Sequence, residues 1–164
     1  RRGDVSVETV TLAEEKTLSP LLWLGLQNRE SAIEQQDFSM PYFKFARTFA
    51  AADEVVFACP YWDMSFPSVF KVYLEHLCIN GLTFCYSPQG IPQGLTGISS
   101  AVYFTTSGGY IGKNNCGFDY VQKLFSQLFG IGEIKCFSAE GLDIKGNDPE
   151  KILAQTIEQI NFSA

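Results

Sequence analysis

Two short stretches concentrate the residue types that could do chemistry. The first is Pro60-Tyr61-Trp62-Asp63-Met64-Ser65-Phe66-Pro67, which gathers three aromatic rings, a thioether and a carboxylate. The second is Thr105-Thr106-Ser107-Gly108-Gly109, hydroxyls followed by a glycine pair. Large apolar groups clustered in a loop either pack under neighbours or line a pocket. Glycines let backbone N–H groups approach a ligand closely. Together the two suit a flat, partly polar ring, bonded at its edge by amides and covered on its faces by apolar groups. A bulky side chain at Gly108 is expected to block such a ring.

Other residues point to less. His76 is the only histidine, and it follows Tyr73 on a helix with no nucleophile nearby, so a helix-surface or half-buried structural role is expected. Cys59, Cys78, Cys85, Cys116 and Cys136 are odd in number and widely spaced, with no CxxC. They read as small hydrophobes rather than as a zinc or dithiol set. Asp143, Asn147 and Asp148 lack the spacing of a calcium loop. Glu140 reads as a structural residue.

The elements around the two stretches place them together. Val55-Val56-Phe57-Ala58-Cys59 is apolar at every position, which predicts a strand buried on both faces of a parallel sheet. Ser68 to Leu77 reads as a helix stopped by Asn80-Gly81. Leu82 to Tyr86 is short and β-like, and Ser87 to Gly97 is a loop. Ile98 to Thr106 is the next strand, Ser107 to Gly117 a glycine-rich loop, and Phe118 to Phe129 an amphipathic helix. Glu133 to Glu140 is a strand, and the last helix starts at Asn147-Asp148-Pro149. Upstream, Val5 to Leu12 alternates and predicts a strand. Pro41 to Ala52 predicts a helix, and Leu21 to Leu26 has no clear assignment. Alternating strands and helices imply right-handed crossovers and a doubly wound parallel sheet. Both stretches then leave the carboxyl ends of successive strands, where open α/β sheets bind ligands.

Composition narrows the classes. The chain has 164 residues, read as a single domain over 1–164, with 46% hydrophobic residues, 14% aromatic residues and a net charge of −6. An acidic balance argues against nucleic acid and anionic membrane partners. No apolar run approaches the ~20 residues of a membrane helix, and no signal peptide is visible, so a cytoplasmic protein is expected.

Four blocks, Ala58 to Pro67, Gly81 to Tyr86, Thr105 to Gly109 and Ser138 to Gly141, resemble in order and spacing the flavodoxin-like NAD(P)H-dependent oxidoreductases of the azoreductase and quinone-reductase type. The likeness spans residues 50 to 162. It implies a flavodoxin-like fold and bound FMN, whose ring would contact Pro60, Tyr61, Trp62, Asp63 and Met64 on one side. On the other side it implies Thr106, Ser107, Gly108 and Gly109. Tyr86 and Ser138 match substrate-side positions, often reached across a dimer. Trp62 stands where the family usually has Tyr, Asp63 where it has Asn, and Ser107 where it has Arg. An acid at Asp63 adds charge beside the flavin, with an expected lowering of its affinity or potential.

The resemblance implies an enzyme passing hydride from NAD(P)H through FMN to a quinone, azo or nitro acceptor, a small aromatic or quinoid substrate. The flavin would carry the chemistry, so no acid-base residue is assigned. The alternative is a non-enzymatic flavodoxin-like flavin-binding or electron-carrier module. A C2 homodimer is expected, with Leu82 to Tyr86 and the helix at Ser68 to Leu77 near its interface. The family's first strand and the Ser-containing loop that cradles the FMN phosphate have no counterpart after Arg1, so the sheet is expected to be N-terminally truncated. That predicts a gap, or another segment filling it, between strands at Val5–Leu12 and Val55–Cys59, and no phosphate site built by residues 1–164.

Overall fold

A computed structural model describes residues 5–113 and 115–162. Arg1 to Asp4, which lead into the predicted first strand, and Asn114 of the glycine-rich loop lie outside the described residues. In chain order the elements are α1 (Trp23–Glu34), a 3-10 turn (Pro41–Phe43), α2 (Lys44–Ala50), β1 (Glu54–Pro60), α3 (Ser68–Leu77), β2 (Phe84–Tyr86), β3 (Pro92–Gly94), β4 (Ser100–Thr106), α4 (Cys116–Gln127), β5 (Glu133–Ala139) and α5 (Pro149–Phe162).

Three strands, in the order β1-β4-β5, form a parallel sheet. Their register is simple: Glu54 faces Ser100 and Ser100 faces Glu133, while Pro60 faces Thr106 and Thr106 faces Ala139. Three strands of equal length in register end together, so the loops after β1, β4 and β5 all leave from one edge.

One face of the sheet is well covered. Ala101, Tyr103 and Thr105 of β4 are buried, and Phe57 of β1 packs against Phe70 of α3 and Phe125 of α4 at ring separations of 5.3 and 5.4 Å. Phe45 and Phe49 of α2 join the same cluster. The high aromatic content therefore goes largely into one edge-to-face core.

The other face is half covered. Helix α5 lies against β5, leaving a groove of about 350 Å³ lined by Ala58, Phe104, Phe137, Leu153 and Ile157. Val56 is 64% exposed. The apolar run at β1 is therefore not buried on both faces, contrary to expectation. In this sheet β1 is an edge strand, and α5 does not reach across to it.

The strand expected at Val5 to Leu12 is absent. Alternation supplies a propensity, but a strand exists only through a neighbour's ladder. No described segment pairs with this one: Val5 and Val7 are exposed, while Val10 and Leu12 pack against the aromatic core. The gap between two strands, or a segment filling it, that the sequence predicts there is therefore not found; among the described residues β1 has no strand on its outer side. The unassigned Leu21 to Leu26 patch enters α1, with Leu22, Trp23 and Leu24 exposed. The helix expected over Pro41 to Ala52 is split, with a 3-10 turn where Pro41 opens it. The loop expected over Ser87 to Gly97 folds back as β3 against β2.

Candidate functional site

The strand ends bring the two stretches into contact. The backbone N–H of Tyr61 donates to Thr106 O at 2.8 Å, carrying the β1–β4 ladder one step into the loops. Beyond Tyr61 the chain reverses. Trp62 N–H donates to Ser65 O at 2.9 Å and Ser65 N–H to Trp62 O at 2.8 Å, with Asp63 at φ 50° and Met64 at φ 67°. Two successive positive φ values across such a pair define a type I′ turn, which normally takes Asn or Gly. A methionine there is strained, and such strain concentrates at functional positions.

The turn sorts the loop's apolar residues. Phe66 is the anchor, 5.0 Å from the Phe70 ring and 5.8 Å from Tyr120. Gly117, in the first turn of α4, allows that approach, since a Cβ there would lie 3.3 Å from the Ser65 backbone and 3.4 Å from Phe66. Trp62 and Met64 are 60% and 64% exposed. Cys116 and Gly117, expected in the loop, begin α4 instead. Asn115 caps it by accepting from Phe118 N–H at 2.9 Å, a start signal the sequence reading passed over.

The glycine-rich stretch is held from one side. Leu142 N–H donates to Ser107 O at 3.1 Å, Asp143 N–H to Gly108 O at 3.0 Å and Gly141 N–H to Gly109 O at 3.0 Å. Three consecutive carbonyls thus point at the loop after β5. In a trans peptide the following N–H points the opposite way, so the N–H groups of Gly108, Gly109 and Tyr110 face away from that loop. A Cβ on Gly109 would meet nothing within 4 Å, whereas a Cβ on Gly108 would fall 2.2 Å from Asp143 Oδ2. Glycine at 108 is thus required by the supporting loop, which a side chain there would strike first; Gly109 fronts open space.

Glu140 ties the same region. Its Oε1 accepts from Ser138 Oγ at 2.7 Å and its Oε2 from Ile111 N–H at 2.8 Å. Ser138, expected on a substrate side, spends its hydroxyl on Glu140. Tyr61 has its phenol pushed above the ordinary range, first by desolvation and then by Cys116 and Glu140, so it stays protonated.

Pro60, Tyr61, Trp62, Asp63, Met64, Thr106, Ser107, Gly108 and Gly109 therefore share one end of the sheet. Tyr86 does not. It sits on the β2–β3 hairpin, where Gly94 is pressed against the backbone of Phe129 beyond α4, beside the amino ends of the strands. Within one chain it is remote from the two loops. The sequence reading gave Gly141, Leu142 and Asp143 no supporting role; the one signal it had was the glycine at 141, which turns the chain at φ 78° and whose carbonyl accepts from Asn147 Nδ2 at 2.8 Å.

Burial raises the thiols of Cys59, Cys78 and Cys136 to about 11, which keeps them protonated and unreactive near neutrality. Among the described residues no cluster could hold a metal ion, and no helix is long and apolar enough to cross a membrane.

The comparisons with known proteins agree with this fold. The profile of the flavodoxin-like fold family matches residues 2–162. The chain is 37% identical over 126 residues to an FMN-dependent NADH:quinone oxidoreductase of Clostridium acetobutylicum, spanning 74% of this chain and 62% of that protein. It is 31% identical over 163 residues to one of Clostridium beijerinckii, 98% of this chain and 77% of that protein. An azoreductase structure from Bacillus anthracis str. Sterne superposes with a TM-score of 0.77 at 24% identity, over 90% of this chain and 76% of that one. The chain thus spans less than two thirds of the first relative's length. Its parallel β1-β4-β5 sheet, the loops at its carboxyl edge and a family match from end to end lead to one assignment: the chain belongs to the flavodoxin-like family.

Proposed function

We propose that the protein is an FMN-dependent oxidoreductase that takes hydride from NADH or NADPH and passes it to a quinone or azo acceptor. The observation that carries this reading is the pairing at one sheet edge of an exposed aromatic turn with a glycine stretch whose N–H groups face away from the loop that supports it. The relatives' names, FMN-dependent NADH:quinone oxidoreductase, supply the cofactor and acceptor class. When bound, the flavin accepts and donates the hydride. The chain's part is to hold it. Trp62 and Met64 offer apolar surface to a ring face, and Gly108, Gly109 and Tyr110 offer N–H donors to its polar edge. Asp63, exposed beside them, lowers affinity for any negative form of the ring.

The same reading takes residues 1–164 as one domain, supported by a core that runs continuously from Phe45 to Ile131. It takes the working unit as a cytoplasmic homodimer, because Tyr86, Ile91 and Leu95 are exposed apolar groups on or beside the β2–β3 hairpin and a second subunit gives them cover. Tyr86 then reaches a substrate only from across that interface.

Titration of the purified protein with FMN, followed by flavin fluorescence, tests the reading. Saturable binding is expected, weakened at least about tenfold, or ~1.4 kcal/mol, by Trp62→Ala and by Gly109→Val, with thermal midpoints unchanged. Binding equal to wild type in both variants would refute the site.

A further inference from the structure

Far from the sheet edge, a second cavity of about 540 Å³ lies under the 3-10 turn and α2, lined by Thr17, Ser39, Pro41, Tyr42, Lys44, Phe45, Arg47 and His76. That volume lies in the range of small-ligand sites. His76 is only 3% exposed. Its Nε2 lies 2.8 Å from Ser19 O, and a carbonyl only accepts, so Nε2 carries a proton. Its Nδ1 is buried without a hydrogen-bond partner among the described residues, and so is the hydroxyl of Tyr42. The Tyr42 ring lies over the imidazole at 4.9 Å, which fixes the histidine's orientation. Buried polar atoms of this kind are rare and call for a specific cause.

The surroundings decide what would satisfy them. The carboxylates nearby are already engaged. Glu15 accepts from Thr17 Oγ1 at 2.7 Å and from Lys44 Nζ at 3.4 Å, and Asp37 accepts from Ser39 Oγ at 2.6 Å. Glu75, next to His76 in sequence, is paired with Lys71 at 2.5 Å. Arg47 Nη1 donates to the carbonyls of Phe38 and Met40, which anchors the guanidinium at the cavity wall. What remains is mostly donors: the Tyr42 hydroxyl, the Lys44 ammonium and the rest of the Arg47 guanidinium, with Nδ1 of His76, opposite its Nε2–H, the one bare acceptor. A donor-rich cavity with two cationic side chains matches a ligand made mostly of acceptors.

We propose that this cavity binds a small oxyanion, a phosphate or a carboxylate, between Tyr42, Lys44 and Arg47, beside the His76 ring. The site is independent of the flavin reading.

Because His76 is the only histidine, its imidazole nitrogens give one set of NMR signals that needs no assignment. Titrating the ¹⁵N-labelled protein with inorganic phosphate, with acetate and with chloride at matched ionic strength tests the proposal. The expected result is a saturable shift of the Nδ1 signal by phosphate or acetate, half complete at or below about 1 mM, and none with chloride. Whichever of the two saturates at lower concentration tells phosphate from carboxylate. Lys44→Met should weaken that binding at least tenfold, while Lys151→Met, on α5, should not. Drift without saturation, an equal response to chloride, or full binding in Lys44→Met would overturn it.

Discussion

The two loops at the carboxyl edge of the sheet are shaped by opposite means. The turn at Trp62 to Ser65 is closed by its own backbone and holds two non-glycine residues at positive φ. The stretch at Ser107 to Gly109 makes few such bonds of its own and is held by three N–H groups from the loop after β5. The first loop therefore depends on local strain, and the second on a neighbour. Substitutions should separate the two, since damage to the second spreads into the β5–α5 loop while damage to the first stays within four residues.

The largest effect is expected at Gly108. A side chain there would enter the space of Asp143, whose N–H also bonds Gly108 O. Gly108→Val should cost about 1–3 kcal/mol as an overpacking change. That lowers the thermal midpoint by roughly 2–4 °C for each kcal/mol in a chain of this size. Gly109→Ala, facing open space, should leave the midpoint in place. Equal midpoints for both variants would break the claim that the stretch is supported from the β5 side.

Glu140 sharpens the same point at smaller cost. Its carboxylate joins Ser138 to Ile111, across the base of the glycine-rich loop. Glu140→Ala removes two partly buried bonds to a charged group, worth about 1–2 kcal/mol together at this exposure. Glu140→Gln keeps an acceptor for one partner and a donor that Ser138 can accept, so it should recover most of the loss. Hydrogen exchange at the Ile111 amide should rise in the Ala variant and stay near wild type in the Gln variant. An unchanged rate in both would show that the link does not hold the loop.

The sequence made the sheet edge legible and the supports illegible, for a physical reason. Strand and helix periodicity located β1, β4, β5 and α3 nearly to the residue, and strands in register carry their following loops to one edge, so the pairing of Tyr61 to Met64 with Thr106 to Gly109 could be anticipated. Support by Leu142 and Asp143 depends on backbone N–H direction, which side-chain types do not encode. The strand expected at Val5 to Leu12 failed for a related reason, because pairing is a tertiary property and alternation is local. Tyr86, expected on a substrate side often reached across a dimer, is not brought to the two loops by its own chain, since the short hairpin carrying it packs against Phe129 at the far end.

The smallest expected effect is at Met64, and it has the unusual sign. A residue other than glycine in the left-handed region costs on the order of 1–2 kcal/mol, and Met64 is too exposed to recover that by burial. Glycine removes the strain but adds unfolded-state entropy worth about 0.5–1 kcal/mol. Met64→Gly should therefore stabilise the fold by roughly 0.5–1 kcal/mol in urea, with an unchanged m-value. The same variant deletes apolar surface beside Trp62, so FMN affinity should fall as stability rises. A gain in stability with undiminished FMN binding would mean that the strained turn does not serve the ring. A loss of stability would mean that the Met64 side chain has a packing role in the turn, and the contrast between the locally strained loop and its neighbour-held counterpart would fail.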